Sequence, residues 1–165
     1  MSKANTRLIL IVVALLSLVY IGISSLGKTG KENAEKVKRR LADSVARKRG
    51  KNEEVTVKLK DLTDFKWDRV YIFPPYTGLE TIDNDLGFVW PQARSIRTDF
   101  RDDINLIVFT DNKQVIAYVE HPRSLGDLDG NYKRKGYSPD EAIFIAEEGP
   151  LQPDGRPWLR LRKRD

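Results

Sequence analysis

Three successive hydrophobic patterns run along this chain. From Leu8 to Gly27, LILIVVALLSLVYIGISSLG, twenty residues carry no charge. A helix rising about 1.5 Å per residue would span about 30 Å over such a run, the hydrocarbon thickness of a bilayer. Cleaved leaders have apolar regions of about 7–15 residues and a small-x-small site, and no such site follows cleanly here. The pattern predicts a short tail over 1–7 and an uncleaved, single-pass transmembrane anchor over 8–27.

From 28 to 51 the apolar positions Ala34, Val37, Leu41 and Val45 recur at spacings of three and four. Thr29 and Glu32 have capping-box spacing. Glu32 with Lys36, Glu35 with Arg39, and Asp43 with Arg47 are acid-before-base pairs four apart, and Gly50 supplies a stop. This predicts a helix over about 30–49, a basic helical stalk with a narrow apolar stripe.

Beyond 52 the pattern is that of strands. VTVKLK (55–60) alternates, and Asp68–Phe73 reads as a strand ended by Pro74-Pro75, because proline cannot donate to a ladder. Thr77 and Glu80 repeat the capping-box spacing ahead of a helix carrying Leu79, Ile82 and Leu86, stopped by Gly87. INLIVFT (104–110) and QVIAYVE (114–120) flank DNK as a hairpin. Residues 121–137 read as a long polar loop. AIFIA within 142–148 has helix-like flanks, but the alternating WLRLRKR that follows favours a terminal hairpin. The expected fold class is α+β: a transmembrane helix, a basic stalk, then over 52–165 a small antiparallel sheet with one short helix.

Charge sharpens this division. Residues 28–51 hold ten Lys or Arg against three acids, whereas over 61–154 eighteen acids outnumber the basic residues. The basic charge therefore lies beside the anchor and not on the sheet domain, which excludes a nucleic-acid footprint. Two readings of the basic helix stay open: lipid head-group binding through Lys36, Lys38, Arg39 and Arg40, or a solvated stalk. Topology signals conflict. Two basic residues precede the span and six follow it closely, which alone keeps the domain in the cytoplasm, while the signal-anchor layout exports it.

The catalytic inventory is short. The chain has no cysteine, and its single histidine, His121, sits at a strand end where surface exposure is the expectation. One histidine cannot build a His-rich zinc site. Asp127, Asp129 and Asn131 open like a calcium loop, but Tyr132 and Ser138 replace the glycine and glutamate that such a loop requires. No cofactor, catalytic residue or metal site is predicted.

The densest stretch is FKWDRVYIFPPYTGLETI (65–82), with aromatics at 65, 67, 71, 73 and 76. If its strand is regular, Trp67, Arg69, Tyr71 and Phe73 share one face, and Trp, Tyr and Arg make up the composition of binding hot spots. Trp67, Arg69, Tyr71 and Tyr76 are the candidate ligand surface. The competing expectation is that these rings are simply core, with Arg69 and Tyr76 alone reachable from solvent. The segment Trp67–Thr77, W-D-R-V-Y-I-F-P-P-Y-T, resembles a recurring stretch of small membrane-anchored or lipoprotein-like bacterial proteins. That resemblance implies an envelope setting with the domain outside the cytoplasm, and implies no activity.

The expected function is a membrane-tethered, non-enzymatic binding or inhibitory module with a protein or envelope partner, besides lipid contacted through the anchor. A structural subunit of a membrane complex and a carboxylate-dependent enzyme are the alternatives.

Overall fold

The structure, a computed structural model, describes residues 30–128 and 130–164. The anchor expected over 8–27, Thr29 of the first capping box, and Asp129 lie outside the described residues. Among the described residues no helix is long and apolar enough to cross a membrane.

The first helix, α1, runs over 30–46, and turns carry the chain to Gly50 at φ 65°. Its stripe is not the seam of a stalk. Val37, Leu41 and Val45 are fully buried in one cluster with residues of two β-sheets. A 3.6-residue apolar stripe must find a covering surface, and here the chain's own sheets provide it. Of the predicted acid–base pairs, Glu32 and Lys36 meet at 3.1 Å, while Arg47 donates to Ser44 Oγ at 3.0 Å.

Six strands form two antiparallel three-stranded sheets. One has the order β1 (Val55–Lys58), β5 (Ile143–Leu151), β6 (Pro157–Lys163). The other has the order β2 (Arg69–Phe73), β3 (Ile104–Asp111), β4 (Gln114–Pro122). Two short helices, α2 (Leu79–Leu86) and α3 (Ala93–Ile96), lie between β2 and β3 in the chain. Over the described residues the expected fold class is thus corrected: in place of a free stalk and a single sheet with one helix, the chain is α+β with two sheets, a packed first helix and two further short helices.

The central strand β3 explains its own composition. Ile107 and Phe109 point into the cluster shared with α1 and the first sheet; Leu106 and Val108 point into a second cluster with Ile82, Leu86 and Ile96. A strand covered on both faces loses the alternation of a half-buried one. The β3–β4 hairpin matches expectation, closing through Asn112 (φ 50°) and Lys113 (φ 59°), the paired positive angles that suit the twist of a tight hairpin. Phe109 faces Ala117 but Thr110 faces Val115, so Ile116 is the extra residue of a bulge. The terminal β5–β6 hairpin is also as expected.

Two local expectations need correction. The α2 N-cap is Gly78, with no side-chain cap, because the Thr77 hydroxyl donates instead to the Pro74 carbonyl at 2.6 Å. The left-handed stop at Gly87 (φ 76°) does hold. Beyond Pro122 the described residues to 137 are largely loop, as expected, but not all lie at the surface: Leu128, Asn131 and Tyr137 are buried, as is His121 at the end of β4. Their polar groups satisfy backbone that would otherwise be orphaned in the core. Asn105 Oδ1 accepts from the Leu128 N–H at 2.8 Å, and Asn131 donates to the Leu128 carbonyl at 2.9 Å and accepts from the Lys163 N–H at 2.8 Å.

Candidate functional site

The expected aromatic surface divides between two faces. Trp67 is only 5% exposed and packs edge-on to Phe109 with centroids 5.3 Å apart, on the α1 side of the sheet. Its indole N–H donates to Thr63 Oγ1 at 3.0 Å. The regular strand starts only at Arg69. Asp68, just before it, is a bend pinned by its carboxylate, which accepts from the Thr110 hydroxyl and the Asn112 N–H at 3.0 Å each. That bend turns Trp67 away from Tyr71 and Phe73, which stack at 6.1 Å in the α2 cluster. Burial pushes the Tyr71 phenol above its ordinary pKa.

Arg69 and Tyr76 are exposed, as expected, but stand at opposite ends of β2. Arg69 lies 3.6 Å from Glu141, and Tyr76, at φ 61°, donates its N–H to the Arg101 carbonyl at 3.1 Å. The four candidates therefore do not form one surface. The outer edge of β2 is closed as well. The Val70 N–H donates to the Tyr137 carbonyl at 2.9 Å, and Tyr137 returns a bond at 2.8 Å. Gly136 makes that approach possible: at φ 61°, a Cβ there would stand 2.8 Å from the Val70 oxygen.

Nor do the four basic candidates converge. Lys36 is paired with Glu32, and Arg40 makes two bonds to Asp64, at 2.8 and 3.0 Å, and a third to the Leu62 carbonyl at 3.0 Å. Arg39 is exposed, and Lys38, half-buried, lines a groove.

That groove, about 940 Å³, is the larger of the two concavities described here. One wall is the first turns of α1, with Gly30, Ala34 and Lys38; the other is Phe88 and Trp90 in the connection after α2; between them runs β4. Two features shape it. The bulge at Ile116 brings its carbonyl so close to Gly30 that a Cβ there would sit at 3.2 Å. Trp90 packs edge-on to Tyr118 at 5.1 Å and is anchored by its N–H donating to Asp83 at 2.8 Å. Val115, Ile116 and Tyr118 remain partly exposed, whereas Ala117 and Val119 are buried inward. Among the described residues β4 pairs with β3 alone, and no second strand lies on its outer edge. The rim carries Lys31, Lys38 and Lys113, none in an ion pair among the described residues, and Glu35 and Glu120. Glu120 is already held by Arg101 at 2.6 Å.

No family model, curated protein or solved structure matches this chain.

The remaining polar centres are committed to architecture. His121, expected at the surface, is fully buried with one ring nitrogen, Nε2, 3.0 Å from the Gly126 carbonyl. Burial pushes its pKa down to about 4, with Lys38 adding a weaker push in the same direction. The ring is therefore neutral near pH 7, with Nε2 donating to that carbonyl. Asp127, first in the calcium-like run, takes two bonds from Arg123 at 3.0 and 2.7 Å and one from the Trp158 indole at 3.3 Å. These groups border the smaller cleft, about 500 Å³. Among the described residues no three His, Cys, Asp or Glu side chains are grouped to hold a metal ion.

Sequence reasoning missed the groove because QVIAYVE reads as an ordinary hairpin arm. One local signal was present: within β4 the apolar run Val115–Val119 is flanked by the polar residues Gln114 and Glu120.

Proposed function

We propose that the chain is a non-enzymatic binding module and that the groove along β4 is its recognition surface. The observation that carries this is the combination of a strand edge without a second strand and an aromatic lining, Phe88, Trp90 and Tyr118, inside one concavity of about 940 Å³. Binding sites favour concave, mainly apolar pockets with a few polar groups at the rim. The Trp67–Thr77 segment serves this function indirectly, by fixing β2 and thereby the sheet whose far edge is the groove. Its resemblance to envelope proteins supports a bacterial envelope setting.

Because the chain has no cysteine, a single thiol can report the surface. A photo-crosslinker attached at Gln114→Cys, at the groove, is compared in living cells with one at Asp154→Cys, in the exposed β5–β6 turn. A discrete adduct from the Gln114 position alone is the expected result. The same adducts from both positions, or none from either, would overturn the proposal.

A further inference from the structure

We infer that the groove's partner is an extended, acidic polypeptide segment that adds as a strand to the free edge of β4; this rests on the groove being the recognition surface. Three observations lead to it. First, β4 presents an outer edge that no described residue pairs with. An unpaired edge offers a row of N–H and C=O groups that a peptide strand satisfies without demanding any particular sequence. Past Ile116, whose carbonyl lies against Gly30, the edge from Ala117 to Glu120 is about 13 Å long, at roughly 3.3 Å per residue, which suits pairing over about four residues. Second, the lining is largely apolar: Ala34, Phe88, Val115, Ile116, Tyr118 and Trp90 line it, with Trp90 edge-on to Tyr118 at 5.1 Å. Third, the rim charge is unbalanced. Lys31, Lys38 and Lys113 have no ion pair among the described residues, and of the two rim carboxylates Glu120 is already engaged by Arg101.

That imbalance also selects between partners. A second copy pairing edge to edge would bring one lysine-rimmed groove against another, and like charges across an interface cost affinity. An acidic segment supplies the missing anions, and the lysines would raise its rate of encounter.

The test is selection of random twelve-residue displayed peptides on the full chain, followed by hydrogen-exchange mapping of the winners. The expected winners carry excess Asp or Glu, alternate apolar residues with period two, and protect amides between Val115 and Glu120. Their affinity should fall at least tenfold in the Lys31→Glu, Lys38→Glu, Lys113→Glu variant. It should also fall with rising salt in the unaltered chain, a reading that does not depend on the variant folding. N-methylation of alternate peptide amides should abolish binding. Winners that protect these amides but are neutral, basic or helix-patterned would overturn this inference and leave the groove as the recognition surface. Winners that protect only other amides, or no winners at all, would overturn both.

Discussion

β2 and β4 flank the same central strand, yet they have opposite fates. β2 carries the denser cluster of aromatic and charged residues, and four of its five residues are buried. Its outer edge is sealed by the reciprocal bonds between Val70 and Tyr137. β4 has a plainer sequence, alternates between buried and half-buried, and keeps its edge open to a groove. Residue composition alone thus misjudges the two strands. What separates them is whether a distant segment comes back to cap the edge, and that segment lies more than sixty residues further along the chain from β2.

The widest separation between the two strands should come from Trp67→Ala. Removing a buried indole packed on Phe109 should cost about 3–5 kcal/mol in denaturant unfolding. Crosslinking from the β4 groove should persist wherever the variant stays folded. Loss of groove crosslinking in a fully folded Trp67→Ala protein would mean that the β2 motif takes part in recognition after all.

A somewhat smaller effect should follow pH, through His121 at the end of β4. Its folded pKa, about 4, lies below the ordinary 6.5. Above pH 6.5 both folded and unfolded chains hold the ring neutral, and stability does not depend on it. As pH falls from 6.5 towards 4, the unfolded chain takes up a proton that the folded one refuses, so stability drops, by up to about 3 kcal/mol. The carboxylates held low by partners act in the same direction but at lower pH; Glu141, held down to about 2 first by the Ser138 N–H and then by Lys133, is one. Chemical denaturation at pH 7 and pH 5 checks this, and His121→Gln should flatten the difference between them.

The smallest effect tests the seal on β2. Gly136→Ala places a methyl against the Val70 carbonyl at a positive φ, for a cost of about 1–3 kcal/mol. Amides of Val70 and Tyr137 should then exchange faster while those of β4 do not change. Equal acceleration in both strands would show that the two edges are not independent.

Much of the local structure was legible in the sequence. The β3–β4 hairpin could be read from two apolar runs around Asp111-Asn112, and the end of α2 from Gly87, because turn chemistry is local. The stripe on α1 was legible as a helix face, but not its partner, since periodicity says that a face must be covered and not by what. Thr77 misled because a hydroxyl near a helix start can serve the preceding turn as well as the cap, and the Pro74 carbonyl was nearer. His121 and Asn131 misled because polar side chains that satisfy buried backbone have the same composition as a loop. Of the candidate site, Arg69 and Tyr76 were correctly read as reachable, and Trp67 was placed on the wrong face because the bend at Asp68 broke the alternation. The groove was illegible for a different reason. It is made by three segments far apart in the chain, and its openness depends on which strands become edges.

The pairing of β1 with β5 joins Val55 to Ala146, residues far apart in the chain. On a ribosome, then, the first strand of that sheet waits for its neighbour until about ninety further residues have emerged. The β2–β3–β4 sheet, built from nearer neighbours, can assemble earlier. Until β5 and β6 arrive, the buried side of α1 and the inner face of β1 lack half their cover. Contacts so distant in sequence make folding slow and leave sticky intermediates. Biogenesis of this protein should therefore depend on β5 and β6, and chains truncated before Ile143 should be handed to chaperones or proteases.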